Sequence, residues 1–271
     1  MVHRMKIKSI GNFVQKSYIG IIFFILYLPI AVMIVTSFNE SRSAYVWEGF
    51  SFIKFKQLFE NRVVMEAVQN TLLLALLAAF ISTVIGVLAC IGIMALKRRL
   101  RTTALAAINI PLLNADIVTG VAFMMFFARA FGRLSFATVL ISHITITLPY
   151  VILNVMPKLQ QLDESAYNAA LDLGATPFYA YRRVVLPELW SDILTGFLFA
   201  FTLSFDDFTL TYYTAGAGIA TISTNIYTNR TRGILPEYYA LFSIMFVVAL
   251  GILFFVNRKS GDQDSKVNAI I

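Results

Sequence analysis

Three acidic residues lie inside long apolar stretches of the chain: Asp116, Asp206 and Asp207. An ionised side chain at the centre of a bilayer costs roughly 2.5–3.5 kcal/mol on insertion scales, so such residues usually face a cavity, a partner or a water-filled path. A carboxylate in that setting attracts cations, because Coulomb attraction is strong where water is scarce. The three acids therefore predict a path for a positively charged solute, with Asp116 near mid-membrane and the adjacent pair toward the outer third.

Polar residues accompany the adjacent pair along what the sequence predicts to be one continuous helix. Since an α-helix turns about 100° per residue, Asp206 and Asp207 point in different directions. One sector, a candidate cavity wall, carries Thr195, Thr202, Asp206, Thr209 and Tyr213, and a second, shorter face carries Ser204, Asp207 and Thr211. Trp47, in a predicted outer loop, is expected to add an aromatic face suited to cation–π contact.

Several of these residues also have a purely structural interpretation. Asp116 and Asp207 could be helix-packing aspartates satisfied by neighbouring groups, and Tyr213 could belong to an interfacial aromatic belt. His143, in another apolar stretch, is interpreted as a packing histidine rather than a proton relay. The residues alone leave these alternatives open.

The composition predicts an all-α integral membrane protein around these acids. The chain has 271 residues, of which 58% are hydrophobic and 14% charged, whereas soluble domains carry about 25% charged residues. A spanning helix needs about 20 mostly apolar residues, and the stretches that qualify as about six transmembrane helices are Ser17–Phe38, Thr71–Ala95, Leu105–Phe131, Ser135–Met156, Leu189–Thr214 and Glu237–Asn257. These runs lack the two-residue alternation of a β-barrel strand.

The distribution of basic residues predicts that both termini lie inside the cell. With the N-terminus inside, the inner segments hold 14 of the 22 Lys and Arg residues, including the cluster Lys97–Arg101, as the positive-inside rule requires. We therefore expect a cytoplasmic N-terminal segment at 1–16, a permease-like membrane domain at 17–257 and a cytoplasmic tail at 258–271. The first apolar run exceeds the usual h-region of about 7–15 residues and is predicted to be a retained span.

Other classes of partner and site find little support in the sequence. The net charge of +7 lies between apolar runs and is not interleaved with aromatics, so no nucleic-acid partner is expected. The single cysteine, Cys90, allows no internal disulfide and is interpreted as a small buried residue. The chain has no HExxH, GxSxG or Walker A sequence, so neither catalysis nor a cofactor or metal in this chain is expected.

The predicted inner loop between spans four and five, residues 157–188, contains signals for two short helices. Asp163 is a candidate N-cap for the first, and Gly174 suits the left-handed position that ends it. Thr176 followed by Pro177 is a start signal for the second. The pair Leu186-Pro187 is expected to break the chain before span five.

The spacing within this loop resembles the EAA signature of ABC-importer permeases: Asn168-Ala169-Ala170, then Gly174, then Leu186-Pro187. In that family the loop forms a coupling helix that docks on a separate ATPase subunit. The usual glutamate is replaced here by Asn168, for which Glu164, one helical turn earlier, could partly substitute. The resemblance implies that ATPase coupling involves Glu164, Asn168, Ala169, Ala170, Asp172, Gly174, Leu186 and Pro187.

Further segments are similar to the spermidine/putrescine importer permeases, in particular to their second permease subunit. They are Trp47-Glu-Gly, Ala115-Asp116-Ile-Val, Ser142-His143-Ile-Thr with Leu148-Pro149, and Ser204-Phe-Asp206-Asp207, within a similarity that runs roughly from Tyr18 to Phe255. The resemblance implies the type I ABC importer permease architecture, a heterodimer with a sister permease, an ATPase dimer that carries ATP and Mg²⁺, and an extracytoplasmic polyamine-binding protein. It also implies that Trp47, Asp116, Asp206 and Asp207 serve cation passage.

Two other transport functions remain open at this point. One keeps the ABC permease and replaces the polyamine by another organic cation. The other is a secondary transporter or channel with Asp206 and Asp207 in an ion relay, which would need neither the loop spacing nor an ATPase.

Overall fold

The computed structural model of the chain describes residues 2–43 and 46–251, with the side chains of 2–16, Glu164 and Arg232 left out. Within these residues nearly all regular structure is helical, and an isolated β-bridge joins Asn39 to Phe50. The predicted tail 258–271 and the last residues of predicted span six lie outside the described residues. The chain divides into two compact units, the first formed by 1–65 and 229–271 and the second by 66–228.

Four helices in the described part are long and apolar enough to cross a membrane, and a fifth span is possible if one bent pair counts as a single crossing. The four are Ser17–Ser37 within α1 (Val2–Ser37), α3 (Arg62–Met94), α7 (Phe136–Gln161) and the helix Pro177–Asp206. A shorter apolar helix, α13 (Glu237–Gly251), corresponds to predicted span six. The other helices are α2 (Ile53–Glu60), α4 (Arg98–Ile108), α5 (Ile110–Leu113), α6 (Asp116–Phe131), α8 (Glu164–Asp172), α9 (Pro177–Ala180), α10 (Leu186–Asp206), α11 (Thr209–Thr214) and α12 (Ile222–Asn229).

The prediction of a single helix over Leu105–Phe131 is wrong. The chain bends by 98° between Arg98–Leu113 and Asp116–Phe131. Pro111 lies in the first turn of α5, where its missing N–H is tolerated, and a proline favours a helix start over a helix interior. Asn114 then takes extended dihedrals, with ψ at 145°, and α6 begins anew.

The predicted break at Leu186-Pro187 is also wrong, because one helix runs through Pro177–Asp206. A π-helical turn over Tyr181–Val185 immediately precedes the proline, and the Leu186 N–H bonds the carbonyl of Tyr181, five residues back. A proline inside a regular helix clashes with the carbonyl four residues earlier. The wider backbone of the π turn relieves this clash, so the helix continues past Pro187.

The core of the second unit is built where α3 and α10 approach α7 closely at Val151. A Cβ on Gly86 would lie 2.7 Å from a Val151 methyl carbon, and one on Gly196 would lie 3.4 Å from the Val151 Cα. Small residues of this kind let membrane helices pack at short distance. Cys90 is fully buried in the same core, as predicted.

Lys54 of α2 connects three segments of the first unit. Its side chain is buried, donates a 2.8 Å hydrogen bond to the Thr36 carbonyl of α1 and lies 5.3 Å from the centre of the Tyr239 ring of α13. Burial lowers the pKa of the Lys54 ammonium, because desolvation penalises the charged form. By contrast, most side chains of α1 from Ser17 to Val35 are exposed.

Candidate functional site

Asp207 lies at a break between two helices and caps the second of them. It follows the last residue of α10, takes extended dihedrals with ψ at 129°, and precedes α11. Its carboxylate accepts hydrogen bonds from the Leu210 N–H at 3.3 Å and the Thr211 N–H at 2.9 Å. The first N–H groups of a helix lack intrahelical partners, so a carboxylate placed there stabilises a new helix start. The prediction of one helix over Leu189–Thr214 is therefore wrong.

His143 of α7 connects this break to both helices. Its ring is completely buried. Nδ1 lies 2.7 Å from the Ser204 hydroxyl of α10, and Nε2 lies 2.9 Å from the Thr211 hydroxyl of α11 and 3.3 Å from the Asp207 carboxylate. The predicted second polar face, Ser204, Asp207 and Thr211, thus converges on one imidazole, although it spans two helices rather than one. We call these residues with His143 the imidazole cluster.

Asp206 makes none of the helix-capping and side-chain contacts that Asp207 makes. It is the last residue of α10, its side chain is exposed, and within the described residues it has no hydrogen bond or ion pair. The C-terminal end of a helix carries partial negative charge and free carbonyl groups. Asp206 lies at that end with an exposed side chain, and its predicted role in cation passage stays a prediction.

Asp116 also lies at a helix break, as the first residue of α6, and its side chain is exposed. One turn further along α6, a Cβ on Gly120 would lie 2.9 Å from the Tyr213 ring and 3.5 Å from the Thr209 carbonyl. The start of α11 therefore packs against α6 within about one helical turn, roughly 6 Å, of Asp116. Two broken helices meet here, each with an acidic residue at the break.

The predicted polar sector is divided between two helices. Thr195 and Thr202 lie on α10, with exposed side chains whose hydroxyls donate to carbonyls of their own helix. Thr209 and Tyr213 lie on α11 and pack toward Gly120. The assumption that all share one sector with Asp206 fails, because the chain changes direction at Asp207. Thr202 stays one turn before Asp206 on the same helix.

Trp47 belongs to the first unit, whereas the acids belong to the second. It lies between α1 and α2, and 55% of its surface is exposed. An exposed indole of this kind is free to contact a partner or a solute. Its predicted place above the acids stays a prediction.

The elbow, residues 157–188, follows the predicted capping pattern closely. The Asp163 carboxylate accepts hydrogen bonds from the Ser165 N–H at 2.9 Å and the Ser165 hydroxyl at 2.7 Å, which lower the pKa of the Asp163 carboxyl. Gly174 has φ at +83°. Its N–H bonds the Leu171 carbonyl at 2.9 Å, and the next N–H bonds the Ala170 carbonyl at 3.0 Å, which is the Schellman arrangement for a helix end.

Apolar side chains are exposed on the elbow. Leu173 is 90% exposed and Phe178 is 76% exposed. A Cβ on Gly174 would meet nothing within 4 Å, so space is open beside it. Of the other predicted coupling residues, Asn168, Ala169, Asp172 and Pro187 are exposed, Ala170 and Leu186 are half-buried, and the Glu164 side chain lies outside the described residues. Docking of an ATPase subunit on this surface stays a prediction.

Sequence reasoning missed the central position of His143 and the breaks beside Asp116 and Asp207. The usable signal for the first was a histidine next to Ser142 inside an otherwise membrane-spanning segment. The usable signal for the breaks was a proline or a pair of acids inside a segment assigned by hydropathy alone.

Residues 82–259 match the family described as binding-protein-dependent transport system inner membrane component. The chain belongs to this family. It is therefore a multi-pass membrane permease, a transport subunit rather than an enzyme, and the expected all-α permease fold is confirmed.

Among characterised proteins, the chain is similar to the spermidine/putrescine transport system permease protein PotC. It is 31% identical to PotC of Escherichia coli over 89% of this chain and 91% of PotC, and 29% identical to PotC of Haemophilus influenzae over 89% and 94%. It is also 31% identical to the putrescine transport system permease protein PotI of E. coli, over 86% and 85%.

Among solved structures, the chain resembles a bacterial ABC transporter involved in the import of the acidic polysaccharide alginate. The TM-score is 0.69, with 19% identity over 96% of this chain and 98% of that chain. A second structure, the bacterial alginate transporter in complex with an alginate pentasaccharide-bound periplasmic protein, gives a TM-score of 0.64 with 21% identity over 94% and 96%. This likeness confirms the fold as that of a type I ABC importer permease.

Proposed function

We propose that the chain is one permease subunit of an ATP-driven importer that moves polyamines across the bacterial cytoplasmic membrane. Family membership gives the class of protein, and the similarity to PotC and PotI supports the class of cargo. A secondary transporter is disfavoured, because the family is defined by binding-protein-dependent transport.

The observation that carries the cation specificity is Asp206, an exposed carboxylate at the negative end of α10 with no partner among the described residues. Of the other residues predicted for the substrate pathway, Asp116, Thr202, Tyr213 and Trp47 are proposed to contact the solute, whereas Ser204 and Asp207 support the pathway through their bonds in the imidazole cluster. A polyamine carries several ammonium groups along a flexible chain, so it can contact Asp206 and Asp116 in turn. Each contact is weak enough to allow release, as conduction requires.

The proposed assembly contains a sister permease, an ATPase dimer and an extracytoplasmic polyamine-binding protein. Both termini of this chain lie in the cytoplasm, and the elbow docks on the ATPase through its exposed apolar residues. Closure of the ATPase dimer on ATP moves the elbow, and the continuous helix Pro177–Asp206 carries that motion to Asp206. The path is thereby opened alternately to each side of the membrane.

The test is reconstitution of this chain with its sister permease, ATPase dimer and binding protein in proteoliposomes. We expect spermidine or putrescine to stimulate ATP hydrolysis and to accumulate, whereas a neutral sugar does neither. Asp206→Asn should reduce uptake about tenfold, the factor that about 1.4 kcal/mol of lost attraction produces, with co-purification of the ATPase unchanged. Asp192→Asn, the same substitution elsewhere on α10, is the matched control.

Two outcomes would revise the proposal. Full uptake by Asp206→Asn would remove the pathway role from this carboxylate. Stimulation by another organic cation, such as choline, but by neither polyamine would favour the second candidate, an ABC permease for a different cation.

A further inference from the structure

The imidazole cluster gives both ring nitrogens of His143 a hydroxyl partner. The Thr211 hydroxyl donates to the Asp207 carboxylate at 3.1 Å, so the Thr211 oxygen is left to accept from Nε2–H of His143, 2.9 Å away. The Ser204 hydroxyl lies 2.7 Å from Nδ1 and completes this set of contacts.

The same bonds connect three helices at one buried point. Ser204 lies two residues before Asp206 on α10, Thr211 lies on α11, and His143 lies on α7. Ser204, Thr211 and His143 are each at most 3% exposed. A buried polar group that loses its partner is costly, so the cluster holds the end of α10 and the start of α11 at fixed positions relative to α7.

We propose that His143 is a positioning residue for substrate passage: it fixes the break between α10 and α11 so that the Asp206 carboxylate stays directed to the open side of α10. Ser204 and Asp206 are two residues apart, about 200° around α10, so the bond from Ser204 to His143 keeps Asp206 on the side of α10 that faces away from α7. With that bond lost, α10 is free to rotate about its axis and Asp206 is no longer held on the open side. This inference rests on the proposed pathway role of Asp206.

The experiment is a double-mutant cycle in the complete reconstituted importer, with spermidine uptake as the measurement. His143→Leu removes both ring contacts. His143→Gln keeps a side-chain carbonyl that accepts from Ser204 and an amide that donates toward Thr211. We expect His143→Leu to lower uptake about tenfold, as the loss of buried hydrogen bonds produces, and His143→Gln to restore at least half of it.

The decisive comparison is made in the Asp206→Asn background, where His143→Leu should cause little further loss. Residues that act through one another are non-additive, whereas a general packing defect lowers uptake by the same factor in both backgrounds. Co-purification and basal ATP hydrolysis report assembly. Ser204→Ala, which removes one donor only, allows the same cycle if His143→Leu does not assemble. Thr145→Val, an exposed position on the same helix, is the control.

The outcomes separate the inference from the proposed function. Equal fractional losses in both backgrounds, or full uptake by His143→Leu, would overturn the positioning role alone. Full uptake by the single variant Asp206→Asn would instead contradict the pathway and the inference together.

Discussion

Two neighbouring carboxylates in this chain have opposite surroundings. Asp207 accepts three hydrogen bonds from the backbone and side chain of α11 and contacts an imidazole, whereas Asp206 is exposed and has no partner among the described residues. A helix start needs acceptors for its first N–H groups, while a helix end attracts cations. The same residue type therefore stabilises the fold at one position and is left exposed at the next.

At this scale we predict a stability difference between the two acids. Asp207→Ala removes the cap of α11 and leaves buried donors without a partner, which should destabilise the protein by about 1–3 kcal/mol. Asp206→Ala should change stability little, because no bond is lost. Thermal unfolding of both variants in the same detergent measures this, and equal losses of Tm would contradict the assignment of separate roles.

At the level of helices, the sequence predicts the caps of short helices well and the breaks within long apolar segments poorly. The elbow follows its caps at Asp163, Thr176 and Gly174, because each cap depends on one or two residues and their immediate backbone. The breaks near Asn114 and Asp207 were missed, since hydropathy averages over about 20 residues and carries no information about backbone direction. The contacts of His143 were beyond sequence reasoning, because they join residues more than 60 positions apart.

The elbow gives a prediction about coupling. Gly174 has φ at +83° with open space around it, so Gly174→Leu strains the backbone and places a bulky group on the proposed docking face. We expect ATP hydrolysis to continue while polyamine uptake per ATP falls severalfold. Gly218→Leu is the matched control, because Gly218 has φ at +90° and equally open space but lies outside the elbow. A similar fall in both variants would mean that strain, not docking, is responsible.

At the scale of the whole molecule, the topology prediction concerns which side of the membrane each exposed segment faces. The positive-inside bias predicts that the elbow lies in the cytoplasm and the segment between α1 and α2 outside. The single native cysteine, Cys90, is buried, so an introduced cysteine can be labelled selectively.

We therefore predict opposite labelling of two engineered cysteines. Trp47→Cys should react with a membrane-impermeant maleimide added outside intact spheroplasts, because its side chain is exposed and lies in the predicted outer loop. Phe178→Cys, at a position more exposed than Trp47, should react only after the membrane is opened. Labelling of both from outside would contradict the N-in, C-in topology, and the unmodified chain is the blank.

The continuity of the helix past Pro187 has a mechanical consequence. The segment Pro177–Asp206 contains 30 residues and is therefore about 45 Å long. If a rod of this length pivots at the elbow, a tilt of only about 5° displaces its far end by about 4 Å. Under the proposed coupling, we therefore expect a small rotation at one membrane surface to be sufficient to move the Asp206 end of the path.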